Sequence, residues 1–308
     1  MTCVIGNLLN LLPESTLRIE ENTARIVSEQ PVTQFVVFTD LDGSLLDGLT
    51  YSFGPAIQAL RELRHRGIPL VLVSSKTRAE MEPLRERLHH RDPFIVENGA
   101  AVFIPQGHFD FPIERARRRS TYDVIELGLP YQMLRDVLKQ VEDAVETPLR
   151  GFGDLSLDEI MLATGLSRTD AARAKQREYD EPFLVKGPPA LIEEVCRQIV
   201  MRGLHWTKGG RLFHLMGDND KGQAATLLLR CYRRHMRLRE RPARIETIGI
   251  GDSVNDAPLL AMVDYPILVQ KPDGSYDPDV HVPGMVRAQG IGPAGWNEAV
   301  LNLLEQIS

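Results

Sequence analysis

The chain has 308 residues, 43% of them hydrophobic and 25% charged, with a formal net charge of −6. That length can bury a sizeable core and hold two domains, and the acidic balance argues against a general nucleic-acid or membrane-surface binder. Cys3, Cys196 and Cys231 are far apart and form no Cys-x-x-Cys pair, which argues against a disulfide framework or thiolate metal site and for a reducing, cytoplasmic setting.

Residues 1–33 read as a loosely docked N-terminal extension with no chemistry of their own. The Val4-to-Leu12 stretch is apolar but lacks the basic flank of a secretory signal, and no apolar run reaches the ~18 residues that a membrane span needs. The first buried strand is Phe35-Val36-Val37-Phe38, apolar without alternation, as in a parallel sheet covered on both faces. It runs into Asp40-Leu41-Asp42-Gly43-Ser44, where an extended chain would point both carboxylates the same way and Gly43 permits an immediate turn. A helix is expected over Pro55–Leu63 and a strand over Ile68–Val73, ending on Ser74-Ser75-Lys76-Thr77. Thr77 and Glu80 have capping-box spacing, but Pro83 implies that the helix begins near Met81 or kinks. Short strands at Phe94–Val96 and Ala100–Ile104 flank Glu97-Asn98-Gly99. This alternation predicts an α/β fold, a doubly wound, Rossmann-like parallel sheet.

From 106 to 217 the rhythm changes to an inserted α+β module. Strands are expected at Asp123–Leu127, Phe183–Lys186, Leu204–Thr207 and Leu212–Met216, and helices at Tyr131–Val145, Leu157–Thr164, Thr169–Glu178 and Ala190–Arg202. The core pattern, begun at 34–105, resumes over 218–308. It comprises a helix from Lys221 to about Arg237, a strand at Ile245–Ile250 ending on Gly251-Asp252-Ser253-Val254-Asn255-Asp256, a short helix, a last strand at Pro266–Val269 and a terminal helix from Trp296. The arginine runs at 115–119 and 230–244 lack interleaved aromatics apart from Tyr232 and read as solvated faces.

Asp40 with Asp42, Ser74 with Ser75, Lys221, and Asp252 with Asp256 all fall at the ends of the core strands or where the chain returns to the core. Each alone has a bland reading, such as a solvated acidic turn, a surface lysine or an N-cap. Together they suit metal-assisted phosphoryl transfer. Carboxylates without His or Cys make an oxygen-only site suited to Mg²⁺. A lysine balances phosphate charge, a serine beside helical N–H groups seats phosphate, and two neighbouring acids can divide the roles of nucleophile and general acid/base.

With these motifs the sequence resembles the haloacid dehalogenase superfamily of phosphotransferases, in the subclass with a large α/β cap. Within it, the chain looks most like the mannosyl-3-phosphoglycerate phosphatases. That likeness rests on Ser74–Glu80, Glu97–Ala101, Arg177–Phe183 and Gly209–His214. The resemblance spans about 35–304; Ser44 departs from it, standing where threonine is commoner. It implies Asp40 as nucleophile, Asp42 as general acid and then base, and Ser75 and Lys221 as holders of the phosphoryl oxygens, with Gly43 and Ser74 beside them. It also implies Mg²⁺ held by Asp40, the Asp42 backbone carbonyl and Asp252, with Asp256 orienting the centre. In the cap, Arg211 is the candidate for a substrate carboxylate and Glu181 for sugar hydroxyls. The expected partner is a small sugar phosphate, with neither nucleic acid nor membrane, and the sequence leaves the oligomeric state open. The alternatives are a glucosyl-3-phosphoglycerate, sucrose-phosphate or trehalose-phosphate phosphatase, with a phosphomutase or dehalogenase further off. From a different class, the chain could be a catalytically idle binding module.

Overall fold

The computed structural model describes residues 32–209, 212–239 and 243–306. The expectations for the N-terminal extension, Gly210 and Arg211 therefore lie outside the described residues, apart from the start of the first strand.

In chain order the strands are β1 Val32–Thr39, β2 Leu70–Val73, β3 Phe94–Val96, β4 Ala101–Pro105, β5 Arg117–Arg119, β6 Tyr122–Glu126, β7 Arg150–Gly151, β8 Glu181–Leu184, β9 His205–Gly209, β10 Leu212–Met216, β11 Ala243–Gly251, β12 Tyr265–Gln270 and β13 Val286–Ile291. The α-helices are α1 Ile57–His65, α2 Arg78–Arg87, α3 Tyr131–Val145, α4 Leu157–Thr164, α5 Arg168–Ala174, α6 Pro189–Met201, α7 Lys221–Leu238, α8 Ala257–Ala261 and α9 Gly292–Gln306.

The large sheet has the order β13-β12-β11-β1-β2-β3-β4-β6-β5. It is parallel from β13 through β3, and antiparallel pairing begins between β3 and β4. β1 lies in the middle, and successive residues project to opposite faces as a pleat requires. Val37 joins the layer containing Ala59, Leu63, Met81, Leu84 and Trp296 from α1, α2 and α9. Val36 and Phe38 join the opposite layer with Ala224, Leu228 and Leu259 from α7 and α8. Burial on both faces is the physical reason that Phe35–Phe38 carries no polar alternation.

A smaller sheet, β7-β8-β10-β9, is backed by α3 and α6 around Leu134, Leu138, Val195, Ile199, Phe183 and Phe213. This sheet and its two helices come from residues 131–216, inside the segment expected to form an α+β insert. The first strand of that insert does not belong there, because β6 pairs with β4 and extends the large sheet, joined by the unanticipated β5. The run Arg117-Arg118-Arg119 gave no apolar signal for β5. Nor is Pro266–Val269 in the last strand, since β13 adds beyond β12. Pro83 neither delays nor ends its helix: the Thr77–Glu80 capping box forms and α2 starts at Arg78 with Pro83 inside it. Among the described residues, no helix is long and apolar enough to cross a membrane.

Candidate active site

β1 ends at Thr39, and the next residue, Asp40, donates its N–H to the Ile250 carbonyl (2.8 Å), so its position is tied to the end of β11. Thr39 is locked in turn, its hydroxyl donating to the Asp40 carbonyl and accepting the Trp296 indole N–H at 2.9 Å. Lys221 opens α7, whose N-cap Asp220 accepts the Gln223 N–H. Its side chain is buried, with Nζ 2.7 Å from Asp40 Oδ1 and 2.6 Å from Asp256 Oδ1. The second oxygen of Asp256 accepts the backbone N–H groups of Asp252 (3.0 Å) and Ser253 (3.2 Å). One carboxylate oxygen from each of Asp40, Asp252 and Asp256 lies within 4.8 Å of the others.

That crowding has an electrostatic consequence. Burial, then repulsion from Asp256, raises the Asp40 carboxyl to about 7 against the pull of Lys221. Burial, then Asp40 and Asp256, also raises Asp252 well above the carboxylate range. A single ammonium cannot balance three carboxylates, so a hard divalent cation fits this oxygen-only donor set. The backbone is shaped to the same end: Gly43 has φ +85°, and a Cβ there would stand 2.6 Å from Asp252 Oδ2.

Asp42 is where the extended-chain expectation fails. The strand stops at Thr39, so the two acids are not on one pleated segment, and their side chains take different partners. Asp42 is part-exposed and paired with Lys76 Nζ at 2.7 Å, leaving its carboxylate out of the three-acid cluster. Ser74 is buried, with its hydroxyl accepting the Lys76 N–H (3.2 Å) and its carbonyl accepting the Asn98 N–H (3.0 Å). Ser75 is half-buried, and its carbonyl accepts from Arg177 at 2.7 Å.

Arg177 belongs to a polar seam between the two sheets that the sequence reading did not assign. Glu97 accepts the N–H groups of Glu178 and Tyr179. Asn98 donates to Asp180 (2.7 Å), which also pairs with His214 Nδ1 (2.9 Å), and Asn255 donates to Asn98 (3.3 Å). The turn that aims Glu97 and Asn98 holds both at positive φ, +46° and +56°, a costly conformation outside glycine. These residues lay in the stretches that carried the family resemblance, and Asn98-Gly99 signalled only a turn. Their pairing across the sheets is non-local and had no sequence signal.

Glu181 does not face a ligand space. It is wholly buried, paired with Arg135 at 2.8 Å and accepting the Gly153 N–H at 3.1 Å, because β8 turns it into the smaller layer. This corrects its assignment to sugar hydroxyls.

Residues 37–117 match the haloacid dehalogenase-like hydrolase family. The structure is similar to that of an HAD subclass IIB sugar phosphatase, BT4131, with TM-score 0.60 and 16% identity, over 90% of this chain and all (100%) of that one. It is also similar to that of Thermoplasma acidophilum 0175, with TM-score 0.61 and 17% identity, over 90% and 98% of the respective chains. At such identities the likeness concerns the fold. A glucosyl-3-phosphoglycerate/mannosyl-3-phosphoglycerate phosphatase from Methanococcoides burtonii is 44% identical over 87% of this chain and 97% of its own. One of the same description from Persephonella marina is 40% identical over 88% and 98%, and a mannosyl-3-phosphoglycerate phosphatase from Pyrococcus furiosus is 38% identical over 76% and 90%. At 40–44% identity over 87–88% of this chain and 97–98% of the relatives, the chain belongs to this phosphatase family of haloacid dehalogenase-like hydrolases.

Proposed function

We infer that the chain hydrolyses glucosyl- or mannosyl-3-phosphoglycerate to the glycosylglycerate and phosphate, by way of an aspartyl-phosphate on Asp40. The observation that carries this is the buried Lys221 bridging Asp40 and Asp256 at the end of the large sheet. The substrate class is supported by the names of the full-length relatives.

In this reading an Asp40 oxygen attacks phosphorus and the bond to the glycerate oxygen breaks, with Asp42 donating the proton that oxygen needs. Asp42 then takes a proton from water as the water attacks phosphorus and the Asp40–phosphorus bond breaks. Lys221 favours the ionised, nucleophilic form of Asp40 and offsets charge on the phosphoryl oxygens. Ser75, with Ser74 beside it and the Gly43 turn opposite, holds those oxygens. Asp40, the Asp42 carbonyl and Asp252 would hold Mg²⁺, oriented by Asp256, and the ion when bound would neutralise charge on the transferring group. The smaller sheet with its helices serves as the cap, within the 106–217 insert, and restricts water entry. Arg211 remains a candidate contact for the glycerate carboxylate. The bland alternative, a fold kept without catalysis, is disfavoured by the cost of burying this many acids for no purpose.

The test is phosphate release by the full chain with Mg²⁺ from mannosyl- and glucosyl-3-phosphoglycerate, sucrose and trehalose phosphates and p-nitrophenyl phosphate. Preference for the phosphoglycerates is expected; turnover of none of them would overturn the reading.

A further inference from the structure

Lys76 keeps a charged side chain mostly out of solvent beside the proposed general acid. Its backbone is fixed at the entry to α2: its N–H bonds the Ser74 hydroxyl and its carbonyl accepts the Glu97 N–H at 3.0 Å. Its side chain is 11% exposed, with Nζ 2.7 Å from Asp42 Oδ2, 3.9 Å from Glu80 Oε1 and 5.0 Å from the centre of the Tyr51 ring. An ammonium has three N–H donors. Among the described residues only Asp42 lies within hydrogen-bond distance, because Glu80 is turned into the helix cap, its Oε2 accepting the Thr77 N–H at 2.8 Å. A charged donor with unspent hydrogen bonds thus sits against the acid that must reach the leaving oxygen.

The leaving group of the proposed reaction is itself an anion. In a 3-phosphoglycerate ester the oxygen released from phosphorus is on C3 and the carboxylate is C1, only two carbon–carbon bonds of ~1.5 Å away. A proton donor must approach that oxygen to about 3 Å. A cation 2.7 Å from Asp42 is therefore within reach of the carboxylate whenever Asp42 is in place. We propose that Lys76 binds the glycerate carboxylate and so selects phosphoglycerate esters over uncharged phosphate esters, while fixing Asp42 beside the same leaving group. This rests on the substrate class proposed above. It assigns to the core, at the mouth of α2, a discrimination otherwise expected only of the cap.

The experiment compares mannosyl-3-phosphoglycerate with its reduced analogue, in which a hydroxymethyl group replaces the carboxylate. Both have alkoxide leaving groups, so both need Asp42 equally, which p-nitrophenyl phosphate would not. The wild-type ratio of kcat/KM, acid over alcohol, should be on the order of 100-fold, as for the loss of a charge-assisted contact together with unspent ammonium donors left buried. In K76M the two substrates should come within about threefold, and K76R should retain a preference of at least about tenfold. Dissociation constants measured in D40N and D40N/K76M, where the covalent step is removed, should show the same collapse of preference. If K76M lowers both rates equally and leaves the ratio intact, Lys76 only positions Asp42 and the inference is wrong. A wild-type enzyme that releases phosphate from both equally also overturns it but leaves the phosphatase reading standing. Release from neither overturns both.

Discussion

Replacing Lys221 with methionine tests the electrostatic account of the site most directly. The substitution keeps the length and apolar stem of the side chain but leaves Asp40, Asp252 and Asp256 buried within 4.8 Å of one another with no cation among them. Removing one partner of a buried ion pair typically costs about 3–5 kcal/mol, and Lys221 serves two carboxylates, at 2.7 and 2.6 Å. For a chain of this order of size, 1 kcal/mol shifts Tm by about 2–4 °C, so metal-free K221M should melt roughly 6–20 °C below wild type at pH 7.5. The pH dependence follows from the direction of the shifts. An acid whose folded pKa is raised, as for Asp40 at about 7 against 3.8, takes up a proton on folding between those values. Its folded state therefore loses stability as pH rises through the window, and the loss is complete above about 7. Without Lys221 the carboxyls rise further, so the gap from wild type should widen between pH 5 and pH 7.5. Mg²⁺ should recover part of the gap, since an ion bound only by the folded state stabilises it by mass action. Thermal melts with EDTA and with Mg²⁺ at the two pH values measure all of this. A gap below 2 °C at pH 7.5, or one equal at both pH values, would refute the claim that Lys221 balances the buried acids.

Three further outcomes are expected. D40N should fold normally, show no turnover and form no trappable phosphoenzyme, whereas D42N should retain the ability to be phosphorylated by an activated ester but fail to protonate an alkoxide leaving group; mass spectrometry and phosphate release read the two effects. EDTA should abolish activity and Mg²⁺ restore it, and D252A should shift the Mg²⁺ requirement upward by at least tenfold or remove turnover, checked by Mg²⁺ titration of the rate. Burial raises the Glu97 carboxyl to about 8, so wild-type stability should fall as pH rises from about 4.5 to 8, by up to about 1.4 kcal/mol per unit. E97Q should flatten that slope in urea titrations, and parallel profiles would refute the assignment.

The centre of the molecule was legible in the sequence because buried parallel strands leave a local signature. Phe35–Phe38 and Ile248–Ile250 are apolar without alternation, and each stops on an acid that the structure then places at the sheet end. The Thr77 capping box was legible for the same reason, because its partners are three residues apart. What was not legible depended on distant pairing. β5 is three arginines, and only the ladder with β6 makes it a strand. The direction of the Asp42 side chain was misjudged because the i, i+2 rule holds only inside a strand, and β1 had already ended. Glu181 lay in a segment that carried the family resemblance, yet it opens β8 and pairs with Arg135, while Asp180 just ahead of the strand pairs with His214.

The seam between the sheets shows why a phosphatase of this kind would be built with polar contacts there. Glu97, Asn98, Arg177 and Asp180 have nearly or fully buried side chains and each finds a partner across the seam, while His214 braces Asp180 from within the smaller sheet. A hydrogen bond between protein groups nets only about 0.5–1.5 kcal/mol, because water replaces the partner when it breaks. An apolar seam of the same area would instead forfeit roughly 25 cal/mol for each Å² exposed, with nothing returned by solvent. A smaller sheet held to the large one by Asn98–Asp180 and Arg177–Ser75 can therefore separate at modest cost, whereas the sheet cores around Phe38 and Phe183 cannot. In the proposed reaction the substrate must enter and glycosylglycerate must leave past this seam, while water must be held off until Asp42 is ready to deprotonate it. Contacts that are specific in geometry but shallow in net energy meet both demands. Removing the Arg177–Ser75 contact with R177M should therefore loosen the seam and speed product release even as it lowers Tm.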